Sequence, residues 1–498
     1  MKKLLVFLLA LALAVGMTTG MALAEAERDT ITIGVTNVID KVDPTYGGDP
    51  WSLTADGISE TIYMQDVNGN LVSHLAEDLV QVDDLTWELK LKDGVKFSDG
   101  SAVDAQAVAD GMNTVMAMNP NASNTAGVIT FAAKDDRTVT LTTERRTTVM
   151  KSILTEWANV VFKGDAENGY VFTGPYALAD LNPGVSVSLV PNEYYDDRAA
   201  ERPNVVLKCF KDTASMQQAF EAGEIDMAFT VTNEIAEDLE AKGYTVKNFD
   251  AGYQYFAIPN IAKAPLNDAN VAKAINEIID REAMQIALRG GRIATGFFAT
   301  YYDFAGEVEE KTDVEDAKAL LAEAGYADTD GDGYLDKDGA ALELQLTTYA
   351  YRPDLPVLMQ LTASALDAAG IKVNTSIVDN IDEYLGEGTF DIVFYAQHTA
   401  PTGEPANGLN MFFRTEGSKN HNGYSNADVD AKLDELGELE VGDARNAIAR
   451  EIQSIVAADG AMYFLIDPEW HIAVSEKLAD YVPYCGDYYV VNPQLGLK

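Results

Sequence analysis

From Val205 to Pro259, short apolar runs alternate with stretches of helical period: VVLKCF, TASMQQAFEAGEID, MAFTV, NEIAEDLEAKG and YTVKNF. Apolar runs of this length bounded by turn residues predict strands, and the stretches between them predict helices. The segment therefore predicts a βαβαβ unit in a mainly parallel sheet with helices on its faces. A capping hydroxyl near Thr213 and a stop at Gly223 bound the first helix. After AIPNIAKAP the rhythm restarts. Asn267 or Asp268 can cap a helix with Val271, Ala274, Ile275 and Ile278 on one face, running to Gly290-Gly291, and a second helix is expected from about Asp313 to Ala324. LELQL, IKVNTSIV and FDIVFYAQ predict strands around the helical DLPVLMQLTASALDAAG, which makes a second α/β unit with its own core.

Between Ile62 and Asn182, stretches such as TWELKLKDGVKF and RTVTLTTERR alternate apolar and polar positions and predict antiparallel strands appended to the first lobe. The C-terminal YFLIDPEWHIAV and DYYVV are strand-like and can return the chain to that lobe. Two α/β lobes joined by two crossings make a clamshell, with a ligand cleft expected between them.

Composition narrows the function. The chain opens MKKLLVFLLALALAVGMTTGMALA: two lysines, an apolar run from Leu4 to Val15, and Ala22-Leu23-Ala24 before Glu25. This is an export signal. No later apolar run reaches the roughly 20 residues of a membrane helix. No cysteine stands near the cleavage site for a lipid anchor, so the mature protein is expected to be periplasmic or extracellular. Cys209 and Cys485 alone build no disulfide framework. A formal net charge of -43 makes nucleic acid an unfavourable partner, because the surface repels phosphate. No G-x-S-x-G elbow, H-E-x-x-H or Cys/His cluster occurs, which weighs against the rival reading of an exported hydrolase.

One acidic loop carries metal-like spacing. In DTDGDGYLDKDG, Asp328, Asp330, Asp332 and Asp336 take positions 1, 3, 5 and 9 of a calcium loop and Gly333 the sharp turn, but position 12 is Gly339. The alternatives are a structural Ca²⁺ site and a hairpin-like acidic turn. Among the histidines, His398 follows an apolar strand and His421 lies in GSKNHNGYSN, where a lone imidazole can be a ligand or simply solvated. His74 and His471 read as structural.

Several stretches together resemble the extracytoplasmic solute-binding proteins of family 5, the peptide and nickel class that serves ABC importers. They are DLTWELKLKDGVKFSDGSAVDAQAVADGM, TGPYALADLNPGVSVSLVPNEYYDD, MQQAFEAGEIDMAF, NDANVAKAINEIIDREAM, GYSNADVDAKLDEL and ADYVPYCGDYYVVN, in family order over nearly the whole mature chain. The resemblance implies a two-lobed α/β clamshell of class II type with an extra β-rich subdomain in the first lobe. The expected division is 1–24 signal, 25–58 first lobe, 59–171 extra subdomain, 172–258 first lobe again, 259–467 second lobe and 468–498 return. It also implies a monomer that performs no catalysis, captures a small-molecule or peptide solute, and delivers it to a permease driven by an ATPase.

Within the family, the loop QHTAPTGEPANGLNMFF carries the substrate signal. Peptide-binding relatives read W-x-G-D-x-x-D-P there, with the first aspartate on the peptide ammonium; here Pro401 takes that position. A proline supplies no charge partner. The loop resembles instead the A-P-x-x-D-P of the nickel-binding branch, with Ala400-Pro401 and Glu404-Pro405, and RPDLP resembles that branch's R-P-E-L-P. The resemblance implies that a single following histidine, here His421, coordinates nickel whose other ligands come from small chelators. No cofactor beyond such a Ni(II) chelate, as cargo, and the candidate Ca²⁺ is expected. That branch presents an arginine to the chelator where this chain reads LTEWANVVF with Trp157, so Arg352 and Arg414 are the candidates to replace it. His398, Tyr351, Arg352, Trp51, Arg414 and Tyr488 are the expected solute contacts. An oligopeptide or dipeptide solute is the alternative within the family.

Overall fold

The computed structural model describes residues 29–497, so the export signal expected at 1–24 lies outside the described residues. Strand Thr30–Val35 pairs in parallel with Asn204–Cys209 on one side and Met227–Val231 on the other. Gly34 lets the following layer come close, since a Cβ there would stand 2.6 Å from Ile225 and 2.9 Å from Met216. The complete sheet has seven strands in the order Tyr176–Asn182, Ser186–Pro191, Asn204–Cys209, Thr30–Val35, Met227–Val231, Glu469–Val474 and Thr245–Asp250. The βαβαβ unit is present, but its strands are not neighbours: Thr30–Val35 lies between the first and second, and Glu469–Val474, from the C-terminal part of the chain, inserts antiparallel between the second and third, so the sheet is mixed and not mainly parallel. Helix Thr213–Glu221 is capped by the Asp212 carboxylate, which accepts from Ser215 N, rather than by a hydroxyl.

The second sheet has six strands in the order Arg292–Ile293, Tyr463–Asp467, Tyr253–Pro259, Ile392–His398, Glu343–Tyr349 and Lys372–Val378. Every residue of Tyr253–Pro259 is buried, as a strand covered on both faces requires. The break at Pro259 ends that strand and not the first lobe, so the chain crosses at Ala251-Gly252, before the expected boundary at 258, and returns through Pro468. The helix expected from Asp268 to Gly290 is two: Ala269–Ile278, capped by Asp268, and Arg281–Leu288, capped by Asp280. DYYVV forms no strand; its tyrosines and valines pack into the first lobe's core as irregular chain.

Within the first lobe, Ala76–Gln81, Thr86–Leu91, Thr138–Thr143 and Ile129–Ala133 form an antiparallel sheet covered by helix Ala105–Met118. Val108, Met112 and Val115 of that helix are fully buried, each contributing roughly 1.5–3 kcal/mol over exposure. A ring cluster of Phe256, Phe297, Phe412 and Phe413 sits within the second lobe's core.

Candidate functional site

The parallel strands Glu343–Tyr349, Lys372–Val378 and Ile392–His398 point their C-terminal ends toward the first lobe. In open α/β sheets that is where ligand crevices form. A cavity of about 570 Å³ lies there, between the lobes. Asn37, Asp49, Trp51 and Tyr488 line it from the first lobe, Asn121 and Trp157 from the extra segment, and Tyr253, Tyr349, Tyr351, Tyr395, Asp382 and Lys419 from the second lobe. Tyr395 and Gln397, two apart on one strand, present the same face to it.

At one end the wall is a buried polar knot. Arg352 donates to Asp487 Oδ2 at 2.7 Å and to the Tyr253 hydroxyl at 2.8 Å. Asp487 Oδ1 also accepts from Tyr253 at 2.8 Å and from Trp51 Nε1 at 3.2 Å. Arg352 belongs to the second lobe and Asp487 to the returning segment of the first, so the pair ties the lobes together; its guanidinium also lies 4.5 Å from the centre of the Tyr253 ring. A second tie, Thr36 Oγ1 to Tyr351 O at 3.0 Å, runs beside it.

Lys419 serves the second lobe. Its Nζ donates to the Tyr395 hydroxyl at 2.5 Å and Gln397 Oε1 at 3.2 Å, and Asp382 stands at 3.6 Å. Burial disfavours the Asp382 carboxylate, yet Lys419 and the Tyr395 hydroxyl outweigh it and hold the group below its ordinary range. Across the cavity, Asp49 accepts no side-chain hydrogen bond among the described residues, and its nearest cation, Lys41, is 3.8 Å away. Burial pushes its carboxyl up to about 6, with Lys41 pulling the other way.

The family of bacterial extracellular solute-binding proteins, family 5 Middle, matches residues 70–420. This chain belongs to that family. It is the solute-binding component of an ABC importer, and the members of the family are binding proteins. The nickel-binding protein NikA of Staphylococcus aureus is 22% identical over 85% of this chain and 86% of its own. The structure of Staphylococcus aureus NikA with Ni(L-His)2 superposes with a TM-score of 0.84 at 21% identity, covering 94% of this chain and 99% of that one. The oligopeptide-binding protein AppA of Bacillus subtilis, solved with a nonapeptide, gives 0.81 at 21% identity over 94% and 98%. These likenesses establish the two-lobed fold.

The family protein thus brings Tyr351, Arg352, Trp51 and Tyr488 together at its cavity. It does not bring the others there. His398 does not line the cavity: the buried ring packs between Gly252 and Gly486, and a Cβ on either glycine would collide with it. Burial pushes its pKa down to about 4, so it stays neutral. Arg414 faces away, bonding Asn410 Oδ1 and pairing with Asp434 at 2.8 Å at the junction with Arg145. His421 is half-buried and close enough to the lining residues Lys419 and Asp382 to feel both charges, without itself lining the cavity. Burial and Lys419 together push its pKa down. His74 stacks on Tyr195, and His471 bonds Asn233.

The acidic loop is a hairpin-like turn. Asp336 is drawn away to Thr329, whose Oγ1 donates to it at 2.7 Å, and Asp336–Lys337 pairs with Ala340–Ala341. Asp328, Asp330 and Asp332 each offer an oxygen within 4.8 Å of one another, all exposed. Calcium takes six to eight oxygens, some from backbone carbonyls and water, and here Asp328 already accepts from the N–H groups of Gly331 and Gly333. Asp487, Asp49, Asp382 and Lys419 were not singled out from the sequence. Lys419 stands two positions from His421 and Asp487 lies in the closing motif, both in irregular chain, while Asp49 and Asp382 sit in the first turns of short helices, where an acid is unremarkable; none has a period to mark it.

Proposed function

We propose that this protein captures a compact transition-metal chelate, nickel wrapped by small amino-acid ligands, and hands it to its permease. The observation that carries this reading is the cavity itself. At about 570 Å³ it is the size of a small-molecule site, it is walled by aromatic rings, and no imidazole or thiol stands among its lining residues. A metal in such a pocket gets its ligands from its chelator, and the protein recognises the complex by its rims and edges. The likeness to Staphylococcus aureus NikA with Ni(L-His)2 supports the same solute class.

A dipeptide is the second reading, favoured by Asp49, a cavity carboxylate that accepts no hydrogen bond from the described residues and could meet an ammonium. Calorimetry separates the two. Nickel(II) with excess L-histidine should bind tightly, nickel alone weakly, and a dipeptide pool not at all. Because His421 stands outside the cavity, His421→Ala should leave chelate binding within about threefold of wild type. Tight dipeptide binding without chelate binding would overturn the nickel reading.

A further inference from the structure

The charged groups of the cavity differ in what they have left to give. Arg352 has its charge matched by Asp487, buried with it: Nη2 donates to Asp487 and Tyr253, while the buried Nε has no hydrogen-bond partner among the described residues. Lys419 is the other cation among the lining residues. Its ammonium carries three N–H donors, of which two go to Tyr395 and Gln397, while Asp382 at 3.6 Å is beyond hydrogen-bond reach. Tyr395 and Gln397 thereby aim the amine at the cavity from a strand that cannot shift without breaking the sheet. On the opposite lobe, Asp49 lines the same cavity; its carboxylate accepts no hydrogen bond from the described residues, and its nearest cation, Lys41, stands 3.8 Å away. A desolvated carboxylate without a donor is unfavourable, and a solute N–H would relieve it.

We infer that Lys419 and Asp49 are the paired anchors of the solute, Lys419 taking a carboxylate on the second lobe and Asp49 an N–H donor on the first. The solute class that satisfies both is amino-acid-like, with an acid group and a nitrogen donor at opposite edges. Only a molecule long enough to touch both anchors gains from closure, because each anchor belongs to a different lobe. The inference deepens the function proposed above and rests on it for the choice of probe.

The test is calorimetry of wild type, Lys419→Met, Lys419→Arg and Asp49→Asn with nickel(II) plus L-histidine, with nickel(II) plus histamine, which lacks the carboxylate, and with a dipeptide pool. Lys419→Met should weaken nickel-histidine binding roughly ten- to a hundredfold and leave nickel-histamine unchanged, since only the first offers an acid group. Lys419→Arg should keep most of the affinity, and Asp49→Asn should weaken both complexes. Thermal melts of each variant confirm folding. If wild type binds nickel-histidine and Lys419→Met or Asp49→Asn binds it equally well, the anchors are refuted while the nickel reading stands. If wild type takes dipeptides instead, the nickel reading falls, and loss of dipeptide binding in both variants upholds the anchors. A wild type that binds none of the probes overturns both.

Discussion

At the residue scale, the costliest arrangement is the Arg352–Asp487 pair, because both charges are withdrawn from water and each depends on the other. Asp487→Asn leaves a buried guanidinium without its carboxylate and should cost about 3–5 kcal/mol. Adding Arg352→Met should restore part of that loss, since the uncompensated charge goes with it. Urea unfolding of the single and double variants, followed by tryptophan fluorescence, measures the difference; a double variant no more stable than Asp487→Asn would show that the pair is not coupled. Arg352 was legible in the sequence as a candidate, because RPDLP marks it. Its partner was not, since 135 positions separate the two and only the fold joins them.

At the scale of elements, the segment joining the first lobe to its β-rich extension carries Glu60, fully buried, accepting from the Tyr195 hydroxyl at 2.9 Å. Burial outweighs that bond and pushes its pKa up to about 8, and the same cause pushes Asp56 to about 7. A carboxyl raised in this way keeps its proton in the folded state after the unfolded chain has lost it. Its contribution is therefore complete below about 4.5 and is lost as pH rises toward about 8. The protein should melt at lower temperature at pH 8 than at pH 5, and Glu60→Gln, which keeps an acceptor for Tyr195, should flatten part of that decline; equal slopes in calorimetric scans would refute the assignment. Periodic elements were the legible part. Strands and helices from Val205 onward announce themselves through runs and spacing; the split at Asp280 is made by a local cap that the continuing helical period masks, whereas the irregular DYYVV is decided by tertiary packing.

At the scale of the whole molecule, the two crossings at Ala251-Gly252 and Pro468 define where the lobes can pivot. Gly252 has φ +69° and faces the His398 ring, so a side chain there is disfavoured both by backbone and by space. Gly252→Ala should hold the lobes apart: small-angle scattering should show wild type contracting on addition of its solute and the variant failing to contract, with affinity reduced. A variant that contracts normally would free the crossing of this constraint. His398, expected at the solute, packs against the crossing instead, a placement its position after an apolar strand could not distinguish from ligand contact. The lobes also hold each other through Arg352 and Asp487, a pair that belongs wholly to the protein. A carrier that can shut on its own internal pair presents the transporter with empty vessels as well as full ones. Discrimination at the membrane then depends on how much further a cargo biases the shut form, and a poorly loaded pool would act as its own competitive inhibitor of uptake.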